Sequence, residues 1–295
     1  MLPEDVHSLY RSDSALATTI SMVLVIALIA SVITIIHVSY VPEWKTDAEH
    51  VHMDDVWDDM SNLKSNIDIL SVALAIDPNS KISMSTPIKM GGGSIPIVGS
   101  GKSSGSLSIK DKKCSMKIVA GINDTGLLEL GTITYRSNNN YYIDQTFEYE
   151  NGALIVAQNN NSLMKLSPGI SIQNNSGNIN VSINAIEITG NERRISSNTI
   201  EEVYLDTGTS TDMSFNNNPY ESVQIVINTE YPDAWERLFN STASNADLVY
   251  GSGNDYTITS NSTSVTFDLT GDAGNDININ GQKNTISARL DVLMI

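Results

Sequence analysis

The chain has 295 residues, of which 34 are acidic and 17 are basic, and its formal net charge is −17. A nucleic-acid-binding protein needs a basic surface to neutralise phosphates, and the densest basic stretch here, Lys110 with Lys112 and Lys113, is interrupted by Asp111. We therefore expect no nucleic-acid partner. The single cysteine, Cys114, excludes an intrachain disulfide, so a folded domain must be held by its apolar core.

The first predicted element is an uncharged run of 29 residues, from Ser14 to Pro42, in which only His37 can ionise. About 20 apolar helical residues cross the core of a bilayer. The run is too long for the apolar core of a cleaved secretory signal, which has about 7–15 residues. We predict a single-pass transmembrane helix over residues 14–42, after a short segment, 1–13, that is a candidate for cleavage.

The basic residues that flank this run favour an orientation. Arg11 and the α-amino group lie on the N-terminal side, and Lys45 lies on the other. The positive-inside rule counts such charges near the membrane and largely ignores acids. It favours a cell-membrane protein whose N-terminus is inside and whose C-terminal domain is extracellular.

The helical pattern continues beyond Pro42 as an amphipathic segment over residues 43–77. Its apolar residues recur every three or four positions, as expected for one face of a helix. They are Met53, Val56, Trp57, Met60, Leu63, Ile67, Leu70 and Leu74. The Asp77-Pro78 pair ends the helix, since a residue before proline avoids helical angles. We predict one helix from Ser14 to Ile76, with a kink at Pro42.

Residues 78–105 are rich in Gly, Ser and Pro and predict a linker, and residues 106–295 predict a β-rich domain. Short alternating segments separated by Asn, Asp, Gly and Ser indicate an antiparallel sandwich. The predicted strands are Leu107–Lys110, Lys117–Gly121, Leu127–Tyr135, Tyr141–Glu150, Ala153–Gln158, Gly169–Gln173, Ile179–Thr189, Glu201–Leu205, Ser222–Thr229, Asp247–Tyr250, Tyr256–Thr259, Ser264–Leu269 and Thr285–Leu293. A short helix, Pro232–Phe239, interrupts them. The fold class is α+β.

Four motifs resemble catalytic or metal sites. HVHMDD, at residues 50–55, has the ligand types of a zinc site, but no histidine follows His52, and His50 and His52 project about 200° apart on a helix. GSGKS (99–103) has the wrong residues before it and a strand after it for a phosphate loop. GKSSG (101–105) has no later histidine base for a nucleophilic serine. We interpret these as a solvated helix face and a linker.

The fourth motif is GDAGND, at residues 271–276. It resembles one copy of a calcium-binding repeat, with Asp272 and Asp276 as candidate ligands. Such sites need tandem copies, and an Asx-rich turn explains a single copy as well. We therefore predict no catalytic residue, no cofactor and no metal, with this turn as the alternative calcium site.

The arrangement resembles archaeal type IV pilin-like, membrane-anchored surface proteins. The resemblance lies in RSDSALATTISMVLVIALIASVITIIHVSYVPEW continuing into AEHVHMDDVWDDMSNLKSNI, in TFEYENGALIVAQNNNSLMKLSPGISI, and in QIVINTEYPDAWERLF. It implies a hydrophobic helix below a β domain. It also implies a prepilin peptidase and other pilin-like subunits as partners, besides the lipid bilayer.

The chain departs from the pilin pattern in two respects. Pilins carry a basic stretch before the cut, whereas this chain has only Arg11, and they carry a Glu shortly inside the mature helix, whereas Ala15–Val41 is free of acids. A cut would fall between Arg11 and Ala15. We expect a non-enzymatic, pilin-like surface protein, such as a minor pilin, adhesin or envelope component. The alternative is a monomeric anchored binding module, for glycan or calcium, that does not polymerise.

Overall fold

A computed structural model describes residues 6–93, 102–175, 177–215, 218–271 and 277–290. It begins with α1 (Val6–Ile35), a π-helical turn (Ile36–Tyr40) and α2 (Val41–Ile76). Pro42 has no N–H to donate to the preceding turn. The N–H of Val41 donates to the carbonyl of Ile36, five residues back, which is the π-helical pattern. Where the sequence predicted a kink, the helix has a wider turn just before the proline.

Helix α2 buries the apolar stripe that its sequence predicts, and this prediction is confirmed. The fully buried members are Met53, Val56, Met60, Leu63, Ile67, Leu70 and Leu74. Trp57 is half-buried beside them. Because each buried aliphatic side chain contributes about 1.5–3 kcal/mol, this stripe fixes α2 to the domain far more strongly than helix propensity does.

The described residues after α2 form fifteen strands and one further helix. These are β1 Ser83–Lys89, β2 Ser104–Ala120, β3 Asn123–Asp124, β4 Leu128–Asn138, β5 Gln145–Glu150, β6 Ala153–Gln158, β7 Asn161–Leu166, β8 Gly169–Asn175, β9 Asn178–Thr189, β10 Arg193–Ser197, β11 Ile200–Met213, β12 Ser222–Asn228, α3 Pro232–Asn245, β13 Tyr256–Ser260, β14 Ser264–Thr270 and β15 Ile277–Leu290.

The strands form two sheets. Sheet 1 has the order β1-β11-β15-β9-β8, and sheet 2 has the order β13-β14-β12-β2-β4-β5-β6-β7, with β10 and β3 also paired to β2. Within these ladders the pairing is antiparallel except between β15 and β9, which run parallel from Ile277↔Ile179 to Ser287↔Thr189. The protein is therefore α+β, with a long N-terminal helix followed by a largely antiparallel β domain. The prediction of a purely antiparallel sandwich missed the parallel pair.

Both sheets contribute to two apolar cores. Core 1 lies between the second half of β2, β12, β14, β8, β9 and α3, where Trp235 and Phe239 are fully buried. Core 2 lies around the apolar stripe of α2. Sheet 1 contributes β1, β11 and the second half of β15, and sheet 2 contributes the first half of β2 with β4 and β5. Helix α2 is thus part of the domain's core.

The predicted linker, 78–105, is wrong where β1 and the start of β2 lie within it. It contains β1, which forms one edge of sheet 1 by pairing with β11, and the first residues of β2. Pro87 lies within β1, and proline is tolerated in edge strands because one side of the strand needs no ladder hydrogen bond. Buried Thr86 and Ile88 face the core. Residues 94–101 lie outside the described residues.

Several predicted strand boundaries also need correction. Leu107–Lys110 and Lys117–Gly121 belong to one strand, β2, which has a register shift against β4 between Lys110 and Cys114. Asp247–Tyr250 is a loop, because α3 extends to Asn245 and the chain then turns through a positive φ of 57° at Asp247.

The remaining differences lie in strands that the sequence pattern missed or shortened. The strands β3, β7 and β10 had no predicted counterpart, and β15 begins eight residues before the predicted Thr285. The strands β3 (ND) and β10 (RRISS) contain at most one apolar residue each, so apolar alternation does not reveal them.

Candidate functional site

The apolar half of the N-terminal helix is the first candidate for function. From Leu16 to Tyr40 every side chain is exposed. Among the described residues, the helix Leu16–Ile76 is the one long and apolar enough to cross a membrane. This criterion concerns length and composition alone.

Hydroxyl groups in this apolar half are satisfied by the helix itself. Thr19 donates to the carbonyl of Leu16 at 2.8 Å. Ser21, Ser31 and Thr34 each donate to the carbonyl four residues earlier, at 2.7–2.8 Å. Because no other group is needed to pair them, these hydroxyls fit an environment without water.

The junction between this helix and the β domain depends on Glu49. Its side chain is 1% exposed. One carboxylate oxygen accepts the N–H of Asn140 at 3.0 Å, and the other accepts the N–H groups of Tyr141 and Tyr142 at 2.7 Å each. These donors belong to the loop between β4 and β5. Hydrogen bonds from backbone N–H groups to a carboxylate are among the stronger ones in proteins, so Glu49 fastens this loop to α2.

Aromatic contacts support the same junction. The ammonium group of Lys45 lies 4.9 Å from the ring centre of Tyr141, and the imidazole of His50 meets the ring of Tyr142 edge-on, with ring centres 5.1 Å apart. Tyr40 and Trp44 lie one turn apart on the helix, with ring centres 6.0 Å apart, and remain largely exposed. Exposed Tyr and Trp beside an apolar helix are typical of the interface between lipid and water.

His52 lies on the opposite side of α2 from His50, as the helix geometry predicted. His52 is 4% exposed, and one ring nitrogen lies 3.4 Å from the hydroxyl of Tyr135. A Cβ on Gly92 would approach the His52 side chain to 2.4 Å, so glycine is required there. Burial lowers the pKa of His52. His50 is exposed, so the two imidazoles are not brought together.

A model described as a family of unknown function (DUF7289) matches residues 15–271. The chain belongs to this family. No curated protein and no solved structure matches it. The matched range begins in the apolar half of the helix and extends through β14, so the DUF7289 unit combines the helix with most of the β domain.

The other motifs considered in this DUF7289 protein either take part in the packing of the fold or lie outside the described residues. Ser103, shared by GSGKS and GKSSG, is buried and bonds through its hydroxyl to the N–H and the carbonyl of Gly92. A strand follows it, as the sequence predicted. Asp272 and Asp276 lie outside the described residues. Within the described part of the chain, no group of three or more His, Cys, Asp or Glu is placed to hold a metal ion.

Proposed function

We propose that this protein is a non-enzymatic, membrane-anchored cell-surface protein of pilin-like architecture. Residues 14–42 anchor it, its N-terminus is inside, and its β domain is extracellular. The observation that carries the proposal is the division of one continuous helix: side chains 16–40 are all exposed, whereas the stripe from Met53 to Leu74 is buried in core 2. An exposed apolar surface of this length is costly in water and favourable in lipid.

The junction supports the same proposal. At 1.5 Å per residue, Tyr40 and Trp44 follow directly above about 36 Å of apolar helix, at the depth where aromatic belts occur. Glu49 then holds the β4–β5 loop against the helix. The domain is thereby held next to the bilayer surface.

Membrane insertion is tested with a charged double variant. Val25→Arg with Ile29→Arg places two cations in the middle of the apolar half, each costing about 2.5–3.5 kcal/mol on the insertion scale. We expect the native chain to stay in the membrane pellet after an alkaline carbonate wash, and the variant to leave it. The matched control is Val51→Arg with Val72→Arg, because both valines are exposed on α2; this variant should pellet like the native chain. Equal distribution of both variants would contradict the anchor.

Orientation is tested by protease protection. Protease added to intact cells should digest the β domain and leave a fragment that contains the apolar helix. Protection of the whole domain until the cells are lysed would contradict the proposed orientation while leaving the anchor intact.

The second candidate is a monomeric anchored binding module. It is favoured by the absence of acids in Ala15–Val41, since the Glu of pilins neutralises the N-terminus of the next subunit in a filament. Both candidates share the anchor and the extracellular domain, and they differ in assembly.

A further inference from the structure

Strand β2 has a gap in the pairing along one of its edges. The ladder with β10 covers residues 105–109, and the ladder with β12 covers residues 115–120. The stretch between them, 110–114, contains the register shift against β4 on the other edge. A cavity of about 250 Å³ opens beside this gap. The chain reaches the cavity a second time where it crosses from β9 in sheet 1 to β10 in sheet 2.

The cavity concentrates positive charge on an acidic protein. Its lining includes Lys110, Lys113, Arg136, Arg193 and Arg194, with Glu192 as the acidic member. Five of the chain's 17 basic residues therefore meet at one site, although acids outnumber bases two to one. Three different strands supply them, so the fold brings Arg136 and two local basic runs, at Lys110–Lys113 and Arg193–Arg194, to one place.

Carboxylates already neutralise part of this charge from one side. The ammonium group of Lys113 lies 2.9 Å from the carboxylate of buried Glu148 and 2.8 Å from that of Glu230. Arg136 lies 3.9 Å from Glu230. Thr134 and Tyr231 donate further hydrogen bonds to Glu148, at 3.1 and 3.3 Å. This network holds the Lys113 and Arg136 side chains in place at the base of the cavity.

The other two arginines keep their charge available. Arg193 donates to the carbonyl of Leu290 at 3.4 Å, and Arg194 donates to the hydroxyl of Ser106 at 3.1 Å. No ion pair to either guanidinium is found among the described residues. By contrast, Arg289 outside the cavity pairs with Asp206 at 3.7 Å and stacks on Tyr204.

We propose that this cavity, the cationic pocket, binds a small ligand through an oxyanion group: a carboxylate, sulfate or phosphate. Guanidinium groups present planar pairs of N–H donors that match such oxyanions. The hydroxyls of Ser106 and Ser108 line the same cavity and add neutral donors. The volume suits one oxyanion with a ring-sized body, such as an acidic sugar residue.

The test uses the full chain in nanodiscs of neutral lipid. Sulfate, phosphate and glucuronate are titrated by calorimetry at constant ionic strength, since exposed charges respond to salt in general. We expect saturable binding of at least one of the three probes. Arg193→Gln with Arg194→Gln should weaken it about tenfold or more, because each charge-assisted hydrogen bond contributes appreciably to affinity.

The matched control is Arg237→Gln with Arg289→Gln. It removes two exposed guanidinium groups from the same domain, and both lie outside the cavity. It should bind like the native chain. Absence of saturable binding for all three probes, or equal weakening in the two double variants, would overturn the proposal. The anchor is measured separately by fractionation and does not depend on this result.

A second arm identifies the source of the oxyanion. The titration is repeated in nanodiscs that contain anionic phospholipid. If the soluble probe then binds the native chain more weakly, while the Arg193→Gln, Arg194→Gln variant shows no such change, lipid headgroups compete for the cationic pocket. If the affinity is unchanged, the ligand is soluble. Both outcomes require the pocket to bind an oxyanion.

Discussion

At the scale of single residues, Glu150 is the most perturbed acid in the described structure. It is 1% exposed and accepts hydrogen bonds from the indole N–H of Trp235 and from the hydroxyl of Thr229, the latter at 2.7 Å. Burial, with the nearby charge of Glu148, raises the pKa of Glu150 to about 7. The group links the buried network below the cationic pocket to core 1.

This pKa predicts a pH-dependent stability. In the unfolded chain the carboxyl releases its proton near pH 4.5, whereas in the folded protein it keeps the proton until about pH 7. The unfolded state therefore binds fewer protons between these values, and this group lowers stability as pH rises from 4.5 to 7. The full effect corresponds to ~3 kcal/mol. We expect Glu150→Gln to remove this decline, as measured by urea unfolding at pH 5 and pH 7.5.

The control for this measurement is Glu202→Gln, which removes an exposed carboxyl on β11. It should keep the pH dependence of the native chain. If Glu150→Gln and the native chain lost equal stability between the two pH values, Glu150 would not be the titrating group.

At the scale of elements, the attachment of the β4–β5 loop to α2 depends on one carboxylate. Replacing Glu49 by Gln keeps an acceptor but removes the charge that three backbone N–H groups share. Hydrogen bonds to charged groups contribute about 1.5–3 kcal/mol each. We expect Glu49→Gln to lower the free energy of unfolding by ~2 kcal/mol and to speed proteolysis of the loop over residues 139–143.

Glu43→Gln is the matched control, because Glu43 is exposed on the same helix. Its stability should stay within about 0.5 kcal/mol of the native value. If both variants behaved alike, the Glu49 contact would be dispensable.

The helical elements were the most predictable from the sequence. Apolar residues recur every three or four positions from Met53 through Val56 and Met60 to Leu74, which predicts one buried face on a helix. The structure buries that face. Long elements with strong periodicity carry many independent signals, so local irregularities such as the turn before Pro42 do not obscure them.

The β elements were less predictable, because their partners determine them. The strand β1 looks like a linker until β11 supplies its ladder. In β15, polar residues such as Asn278 and Asn280 alternate with Ile277 and Ile279 in a segment that reads as a turn-rich loop. The parallel ladder to β9 joins residues about 100 positions apart, which no local pattern reveals.

The cationic pocket was out of reach of sequence reasoning for the same reason. Its cations come from β2, β4 and β10, which the fold brings together. Two signals were present: Arg193 and Arg194 are adjacent in a chain with only six arginines, and Lys110 and Lys113 belong to its densest basic stretch. Nothing in the sequence distinguished Glu49 as the residue that holds the β4–β5 loop, because it is one of seven acids between Glu43 and Asp59.

At the scale of the whole molecule, pilin-like assembly depends on how the N-terminus is processed. Pilin-like processing predicts a new N-terminus between Ser12 and Ala15, which mass spectrometry of the N-terminal peptide from native membranes measures directly. With that processing, we expect shearing of cells to release the protein in filaments. An intact start at Met1 or Leu2, with no release on shearing, would contradict assembly and leave the single anchored module.

The course of α2 through core 2 has a mechanical consequence. The helix from Leu16 to Ile76 has 61 residues, a rod of about 90 Å. If the helix anchors the domain as proposed, a force that draws the domain away from the membrane pulls along the axis of this rod. The side chains from Met53 to Leu74 lie in one row parallel to that pull, so they bear the load together and do not separate one after another. The domain is thus tethered in shear, the loading direction in which a packed row resists extraction most strongly.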